Sequence, residues 1–296
     1  GLCRDPHERS RHPVRVVTTV SEVRVALDAA RARGETVALV PTMGALHEGH
    51  LSLIRAARAE NDVVVVSIFV NPTQFGPKED LQRYPRDLDR DRRLCGDAGA
   101  DLVFSPAAEE MYPRGFSTWV EVEGLTDGLC GRSRPGHFRG VCTVVTKLLS
   151  ICSPERAYFG EKDAQQLAVI TRMVRDLDLR VAVVPCPTVR EADGLAMSSR
   201  NARLTPEERA QASTLYRALG TAKDLVEAGE RDPAALQDAL RVVLAEADLG
   251  EVDYVEIVRA DDLTPVTVIE GTCLIAVAVK FGGSGTRLID NIRVSA

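Results

Sequence analysis

The sequence has little that would suit a membrane-spanning, secreted or nucleic-acid-wrapping protein. No run in its 296 residues approaches the ~20 apolar residues of a transmembrane helix, and no charged-then-apolar secretory leader opens the chain. Aromatic residues make up only 4%, which disfavours a base-stacking surface for single strands. The net charge is −6, from 37 basic and 43 acidic residues, which argues against wrapping nucleic acid. We therefore expect a cytoplasmic protein with no membrane and no nucleic-acid partner.

Cysteine pairs of the Cys-x-x-Cys type are also absent. The chain has seven cysteines, an odd number, and they are dispersed: Cys3, Cys95, Cys130, Cys142, Cys152, Cys186 and Cys273. Dispersed thiols in a large acidic chain indicate reduced, mostly buried residues. The cysteines therefore give no reason to expect a disulfide framework or a zinc site.

The overall composition is that of a globular protein. Hydrophobic residues make up 45% and charged residues 27%, and the length is about twice a typical ~150-residue domain. One large domain or two unequal domains is therefore expected. Residues 1–13 are polar and basic without periodicity, and we predict that they form a flexible arm outside the fold.

Strand and helix patterns alternate through the first part of the chain. The spacing of apolar residues predicts strands at 36–40, 63–70, 101–104, 156–159 and 179–184, and helices at 21–33, 50–60, 87–96, 141–152 and 164–176. Residues 63–70 are apolar almost throughout, which predicts a strand covered on both faces. The alternation predicts a parallel sheet with helices on both faces. Such sheets bind ligands at the carboxyl ends of their strands, where the strand order reverses.

The pattern changes after about residue 188. Thr205, Pro206 and Glu208 form a helix-start signal, and Asp232 with Pro233 forms a second one. Three strands are then predicted, at 253–258, 273–279 and 287–292. Helices followed by strands predict a smaller α+β domain.

The first candidate functional segment is 41–50, PTMGALHEGH, between a predicted strand and a predicted helix. A helix N-terminus offers unpaired amides and positive partial charge to an anion. Gly44 and Gly49 allow the main chain to approach phosphate closely, and His47 and His50 can face one ligand. We favour phosphate binding. The alternatives are a capped helix with solvated histidines and a metal pair, which is one residue short of the zinc-protease spacing.

The second segment is 69–76, FVNPTQFG, which follows the most apolar predicted strand. Asn71 and Gln74 therefore emerge at its carboxyl end. Neutral amides can orient a substrate with hydroxyl and carboxylate groups without forcing a charge state. The alternative is a turn in which both amides cap main-chain groups.

The third segment is 159–166, FGEKDAQQ, again at a strand-to-helix turn. Lys162 can neutralise phosphate charge, and Asp163 can hold a nucleotide hydroxyl, a histidine or a metal. Gln166 lies one helical turn further along and can reach the same cavity. A surface turn is the alternative.

The fourth segment is 197–201, MSSRN, just past the expected domain boundary. The hydroxyls of Ser198 and Ser199 and the guanidinium of Arg200 form a flexible phosphate clamp. A plain loop would have the same sequence.

Together, these segments resemble the pantothenate synthetase family. The motifs HxGH, NPxQF, GEKDxxQ and MSSR occur in that order, and the resemblance extends from about Val14 to Val294. Residues 134–140 and 187–200 are similar to the family too. HxGH and MSSR also resemble the signatures of a broader nucleotidyltransferase class that includes class I aminoacyl-tRNA synthetases. The resemblance implies an α/β fold with a Rossmann-like parallel-sheet nucleotidyltransferase domain (14–188), a smaller α+β C-terminal lid domain (189–296), and a homodimer.

The resemblance implies an ATP-dependent ligase that joins pantoate to β-alanine and uses Mg²⁺. The pantoate carboxylate first attacks the α-phosphate, giving pantoyl adenylate and pyrophosphate, and the β-alanine amine then displaces AMP. The implied catalytic residues are His50, His47 and Lys162. His50 takes the family's proton-donor assignment, in the form of a hydrogen-bond donor to the pyrophosphate side.

The resemblance also implies binding residues. ATP is expected to contact Met43, Gly44, Ala45, Leu46, His47, Glu48, Gly49, His50, Gly160, Glu161, Lys162, Asp163, Val189, Met197, Ser198, Ser199 and Arg200. The expected substrate-binding residues are Gln74 and Gln166, which bind pantoate, and Asn71; Gln74 also lies near β-alanine. A magnesium carboxylate is expected in the charged helix, where Asp89 and Asp91 both fit; a solvated charged face is the alternative.

Two other functions are compatible with parts of this pattern. The first is a nucleotidyltransferase of the same fold whose reaction ends at an adenylylated product. The HxGH motif alone is compatible with this function. A non-catalytic nucleotide-responsive module is disfavoured because both histidines, Lys162 and the MSSR clamp occur in one chain.

Overall fold

The alternating elements build a six-stranded parallel sheet. The computed structural model describes residues 14–77, 79 and 81–296, so the arm predicted at 1–13 lies outside the described residues. The strands are β1 (Arg15–Val17), β2 (Val37–Thr42), β3 (Val63–Ile68), β4 (Leu102–Phe104), β5 (Arg156–Gly160) and β6 (Ala182–Cys186). Their spatial order is β1-β4-β3-β2-β5-β6, and every neighbouring pair is parallel. The predicted parallel α/β sheet is confirmed.

Helices between the strands cover both faces of this sheet. They are α1 (Val20–Ala32), α2 (Glu48–Glu60), α3 (Leu88–Ala98), α4 (Ala108–Met111), α5 (Leu129–Ser133), α6 (His137–Cys152) and α7 (Ala164–Asp176). Along β2, Val37 and Leu39 join the apolar cluster of α1, α6 and α7, whereas Ala38 and Val40 join that of α2 and α3. The prediction of a sheet buried on both faces is therefore confirmed.

The carboxyl-terminal part forms an antiparallel sheet packed against helices. Its helices α8 (Pro206–Ala212), α9 (Thr214–Glu227) and α10 (Pro233–Leu244) precede β7 (Gly250–Arg259), β8 (Thr272–Phe281) and β9 (Thr286–Ser295), which pair in the order β7-β8-β9. One face packs on α9 and α10, and the other joins the core of the first part through Tyr254, Leu274 and Ala276. The predicted smaller α+β unit is confirmed, whereas the boundary between residues 188 and 189 stays a prediction.

Several element bounds differ from the sequence-based expectation. The strand predicted at 179–184 is misplaced, because the turn that ends α7 extends to Leu179, whose amide donates to Val174 O at 3.0 Å. Helix α6 begins at His137 rather than at residue 141, directly after the left-handed Gly136 with φ of 81°. The short strand β1 and the helix α9 had no clear start signals and were not predicted. The capping signal at Thr205 is confirmed, because Thr205 and Glu208 form a reciprocal capping box at the start of α8.

The cysteine prediction is confirmed for the described part of the chain. Its six cysteines are all buried free thiols, and Cys3 lies outside the described residues. None of the helices in the described ranges has both the length and the apolar character needed to cross a membrane.

Candidate active site

The strand order of the parallel sheet reverses at β2. Strand β3 pairs with one edge of β2, and β5 pairs with the other. Open parallel sheets bind ligands at the carboxyl ends of their strands beside such a reversal. A cavity of about 230 Å³ lies here, and it shares lining residues with a wider cleft of about 1140 Å³ between the two sheets.

Most of the residues expected in the site line the smaller cavity. They come from the ends of β2, β3 and β5, from α7, and from the segment after β6: Met43, His47, Gly49, His50, Asn71, Gln74, Gly160, Lys162, Asp163, Gln166, Val189, Met197, Ser198, Ser199 and Arg200. The remaining expected residues are not on its wall: Gly44, Ala45, Leu46, Glu48, Glu161, Asp89 and Asp91. The four motifs thus converge on one cavity, although their individual roles stay predictions.

His47 and His50 lie together at the start of α2, with ring centroids 4.1 Å apart. His47 Nδ1 accepts a hydrogen bond from Gly49 N at 3.2 Å, and His50 Nδ1 accepts one from His47 N at 3.4 Å. Each neutral ring must therefore carry its proton on Nε2. Within the described residues neither Nε2 has a protein partner, so capping the helix leaves both Nε2–H groups available to a ligand.

Burial keeps these two imidazoles neutral. Desolvation, followed by the charge of Lys162, lowers the pKa of His47 to about 4. Desolvation, followed by the proximity of His47, lowers the pKa of His50 to about 3. Both histidines are therefore uncharged hydrogen-bond donors at neutral pH, rather than cations.

A buried carboxylate on α3 fixes the loop between β2 and α2. Asp91 accepts hydrogen bonds from the amides of Ala45 at 2.8 Å and Leu46 at 2.9 Å. Gly44 has a φ of 81°, and a Cβ there would lie 3.0 Å from Asp91 Oδ2. The Ala45 and Leu46 amides consequently face the protein interior, which explains why the middle of this loop is absent from the cavity wall.

The positions of Asp89 and Asp91 do not fit the expected magnesium site. Both oxygens of Asp91 accept main-chain amides, and only 1% of the residue is exposed. Asp89 is exposed on the first turn of α3 and does not line the cavity. Among the residues that the structure describes, no group of three His, Cys, Asp or Glu side chains is arranged to hold a metal ion.

The second sheet supports the turn between β5 and α7. Asn291 on β9 donates its side-chain amide to Lys162 O at 2.8 Å and to Glu161 O at 3.1 Å. This leaves the Lys162 side chain on the cavity wall, with its Nζ 3.9 Å from Asp163 Oδ1. Sequence reasoning missed Asn291, because its partners lie about 130 residues away.

Gln74 is fixed by a network that sequence reasoning only partly anticipated. Its side-chain Oε1 accepts from Asn71 Nδ2 at 3.0 Å, and its main-chain oxygen lies 2.8 Å from His137 Nδ1. The Nη1 atom of Arg134 lies 3.0 Å from His137 Nε2. The same guanidinium forms a two-pronged ion pair with the Glu79 carboxylate. Burial, followed by the Arg134 charge, lowers the pKa of His137 to about 4. Arg134 and His137 were noted only as parts of a family-like segment, yet both line the cavity.

The MSSR segment reaches the cavity and is anchored to the second sheet. Ser199 Oγ lies 3.2 Å from Tyr84 OH, and Ser198 Oγ accepts from Arg200 N at 3.2 Å. Upstream, Arg190 makes two hydrogen bonds with Asp290 on β9, at 2.6 and 3.0 Å. The clamp residues therefore line the small cavity while their loop is tied to β9. Tyr84 also lines the cavity, and no local signal in the sequence marked it.

Fold and cavity together define a class: a Rossmann-type α/β protein whose ligand cavity lies where the strand order of a parallel sheet reverses. The particular family follows from comparison with known proteins. A family model described as pantoate-beta-alanine ligase matches residues 15–293, and the chain belongs to this family.

Individual relatives agree with this assignment. The chain is 58% identical to a pantothenate synthetase of Moorella thermoacetica over 277 residues, which cover 94% of this chain and 97% of that protein. The crystal structure of pantothenate synthetase from Thermus thermophilus is 51% identical, with a TM-score of 0.91 over 96% of this chain and all of the other. A pantoate-beta-alanine ligase of Francisella tularensis, complexed with beta-gamma ATP and beta-alanine, is 33% identical, with a TM-score of 0.77 over 94% of this chain and 97% of that chain.

Proposed function

We propose that this chain joins pantoate to β-alanine with ATP, through a pantoyl-adenylate intermediate, and releases AMP and pyrophosphate. The observation that carries the proposal is the convergence of His50, Lys162, Gln74 and Ser199 on one cavity at the reversal of the strand order. Membership of the ligase family supports it. The relative complexed with beta-gamma ATP and beta-alanine supports ATP and β-alanine as two of these substrates.

In the first step, a pantoate carboxylate oxygen attacks the α-phosphorus of ATP. The new bond joins this oxygen to phosphorus, and the bond to the β-phosphate oxygen breaks, so that pyrophosphate leaves with the electron pair. Phosphoryl chemistry of this kind depends mainly on positioning and electrostatic stabilisation. Lys162 supplies positive charge, and Ser198, Ser199 and Arg200, which line the same cavity, bind phosphate oxygens.

His50 and His47 act in this step as neutral hydrogen-bond donors. Their Nδ1 atoms are occupied by the start of α2, which directs the exchangeable proton to Nε2. The lowered pKa values keep this arrangement at neutral pH. Each Nε2–H then donates to a phosphate oxygen whose negative charge increases as pyrophosphate leaves. We assign the larger share to His50, as the family resemblance implies.

Pantoate lies between the amides of Gln74 and Gln166. Uncharged donors hold its oxygens without the strong cation that would reduce the nucleophilicity of the carboxylate. Met43, Val141, Val144 and Leu148 supply the apolar part of the wall. In the second step, the β-alanine amine attacks the activated carbonyl carbon. A C–N bond forms, the bond between the carbonyl carbon and the phosphate oxygen breaks, AMP leaves with the electron pair, and the nitrogen gives up one proton to solvent.

Magnesium is not assigned to side chains of this protein. Neither Asp89 nor Asp91 lines the cavity, and both oxygens of Asp91 already accept hydrogen bonds from main-chain amides. The groups proposed to stabilise the phosphate charge are therefore Lys162, the Ser198, Ser199 and Arg200 clamp, and the two histidines.

Three further properties are proposed from the family resemblance. The chain forms a homodimer, residues 189–296 act as a lid over the cavity, and the enzyme works in the cytoplasm. The lid proposal is supported by the anchoring of the MSSR loop to β9 through Arg190 and Asp290. Light scattering coupled to size-exclusion chromatography tests the dimer: a mass near 32.1 kDa instead of twice that value would contradict it.

An AMP-release assay tests the proposed function, with ATP, pantoate and β-alanine each omitted in turn. We expect one AMP and one amide product per turnover only when all three are present. Pyrophosphate release without AMP or an amide product would instead indicate an enzyme that stops at the adenylate. Failure to turn over ATP with any plausible acid would support the binding-module hypothesis.

A further inference from the structure

A hydroxyl group outside the cavity is connected to the Gln74 amide through the side chain of Asn71. We propose that Tyr112, which lines neither the cavity nor the wider cleft, is a positioning residue that orients Gln74 with its NH₂ group toward the substrate. The inference rests on the proposed function, in which Gln74 binds pantoate.

The orientation is first set at Asn71, which is 1% exposed. Three donors converge on its Oδ1: Tyr112 OH at 2.8 Å, Thr73 Oγ1 at 2.9 Å and the Thr73 amide at 3.4 Å. The main-chain amide can only donate, so the atom facing it must be the carbonyl oxygen of Asn71 and not its nitrogen. Tyr112 and Thr73 therefore direct Asn71 Nδ2 toward the opposite side.

The orientation of Asn71 in turn determines the orientation of the Gln74 amide. Asn71 Nδ2 donates to Gly140 O at 3.1 Å and to Gln74 Oε1 at 3.0 Å, so both of its protons are used. Gln74 Oε1 is thereby committed as an acceptor inside the protein. Gln74 Nε2 lies on the other side, 3.2 Å from Met43 Sδ, and both residues line the cavity. A thioether sulfur is a weak acceptor, and Nε2 has a second proton for a ligand.

The result is a neutral donor that faces the substrate. The hydroxyl and carboxylate groups of pantoate accept hydrogen bonds from such a donor, whereas a reversed amide would present its own oxygen and repel the carboxylate. Without the bond from Tyr112, Asn71 loses one of the three donors that determine its orientation, and the reversed arrangement at Gln74 becomes accessible.

The Tyr112 ring is held independently of its hydroxyl group. It packs against Phe116 with centroids 5.0 Å apart and against Phe69 with centroids 6.2 Å apart. Burial raises the pKa of Tyr112, so its hydroxyl keeps the proton that it donates. The Tyr112→Phe variant therefore removes the hydrogen bond while keeping the aromatic packing.

The first measurement is the pantoate dissociation constant of Tyr112→Phe in the full chain, by calorimetry. The loss of one buried hydrogen bond costs about 1–2 kcal/mol of free energy, so we expect pantoate affinity to fall roughly 5- to 30-fold. ATP affinity and kcat should change less than about 3-fold, because Tyr112 reaches the substrate only through Gln74. Tyr216→Phe, at a Tyr that is 40% exposed and lines neither cavity, is the matched control with unchanged affinity. An unchanged pantoate affinity with a lowered Tm would overturn the proposal.

A double-mutant cycle tests whether Tyr112 acts through Gln74. In the Gln74→Ala background, Tyr112→Phe should cause no further loss of pantoate affinity, because the amide that it orients is gone. Equal losses in both backgrounds would contradict the proposal. Asn71→Asp provides a second route: it still accepts from Tyr112 and Thr73 but cannot donate to Gln74. We expect the same selective loss, and retained pantoate affinity would count against the mechanism.

Wild-type turnover in the same series separates this inference from the proposed function. Absence of pantoate-dependent AMP release by the wild type would overturn the proposed function itself. Normal wild-type turnover with full pantoate affinity in Tyr112→Phe would overturn only the positioning role.

Discussion

The carboxylate of Asp91 accepts a hydrogen bond from the main-chain amide of Ala45 at 2.8 Å, with 45 residues and one complete strand between them in the chain. Its second oxygen accepts from Leu46 at 2.9 Å. One buried side chain on α3 therefore determines the shape of the loop that carries His47 and His50 to the cavity.

Replacing Asp91 tests how strongly the loop depends on this carboxylate. In Asp91→Asn, one end of the side chain becomes an NH₂ group, so one buried main-chain amide loses its acceptor. We expect the free energy of unfolding to fall by about 1–3 kcal/mol, with a parallel loss of pyrophosphate exchange. Urea unfolding measures the first effect.

Asp89→Asn is the matched control for this change. Asp89 lies two residues earlier on the exposed face of α3, so its substitution should change stability by no more than about 0.5 kcal/mol. A strongly raised magnesium requirement in this variant would show that Asp89 does hold the ion, contrary to its position outside the cavity.

A pair of glycine substitutions separates backbone strain from crowding. Gly34 and Gly44 have similar positive φ values of 77° and 81°, but only Gly44 has near neighbours, Asp91 Oδ2 at 3.0 Å and Ile68 Cγ2 at 3.1 Å from an added Cβ. Gly34→Ala should cost about 1–2 kcal/mol from the left-handed conformation alone. Gly44→Ala should cost about 1–3 kcal/mol more because of the crowding. Equal losses in thermal or urea unfolding would show that the loop yields to the extra methyl group.

The buried histidines predict an acid-sensitive stability. The pKa of His47 is lowered to about 4 and that of His50 to about 3, whereas both titrate near 6.5 when unfolded. Between these values the unfolded chain binds more protons than the folded chain. The free energy of unfolding therefore rises with pH across this window and falls as the solution is acidified below about 6.5.

Urea unfolding between about pH 5 and pH 7.5 measures this dependence. Removing one titrating ring in His47→Gln should make the slope shallower, because the carboxylates contribute equally to both proteins. Parallel curves for the wild type and the variant would show that His47 is not held neutral.

Much of the site was predictable because its chemical groups follow strands of a parallel sheet. Asn71 and Gln74 were expected at the end of the most apolar strand, and they occur directly after β3. His47, His50 and Lys162 were expected at turns after strands, and the reversal of strand order brings those turns together. The rule that parallel sheets bind ligands at the carboxyl ends of their strands was therefore sufficient to predict that these residues converge.

The features that were missed depend on distant packing. The local sequence could not show that the amides of Ala45 and Leu46 face Asp91 rather than a ligand. Nor could it show that Asn291 reaches the Lys162 carbonyl, because that contact requires the antiparallel sheet to dock on the first part. The predicted strand at 179–184 begins too early, because the residues of the turn after α7 are partly apolar and so also match a strand pattern. The strand itself begins at Ala182.

The most direct test of the account is the pantoate-dependent exchange of labelled pyrophosphate into ATP, measured without β-alanine. This reaction isolates formation of the adenylate, the step for which the cavity is proposed to be built. We expect exchange by the wild type only when pantoate is present, and a decrease of roughly 100-fold or more in folded His50→Ala, as for loss of a transition-state hydrogen-bond donor. Exchange without pantoate, or near-normal exchange by the folded His50→Ala variant, would contradict the account.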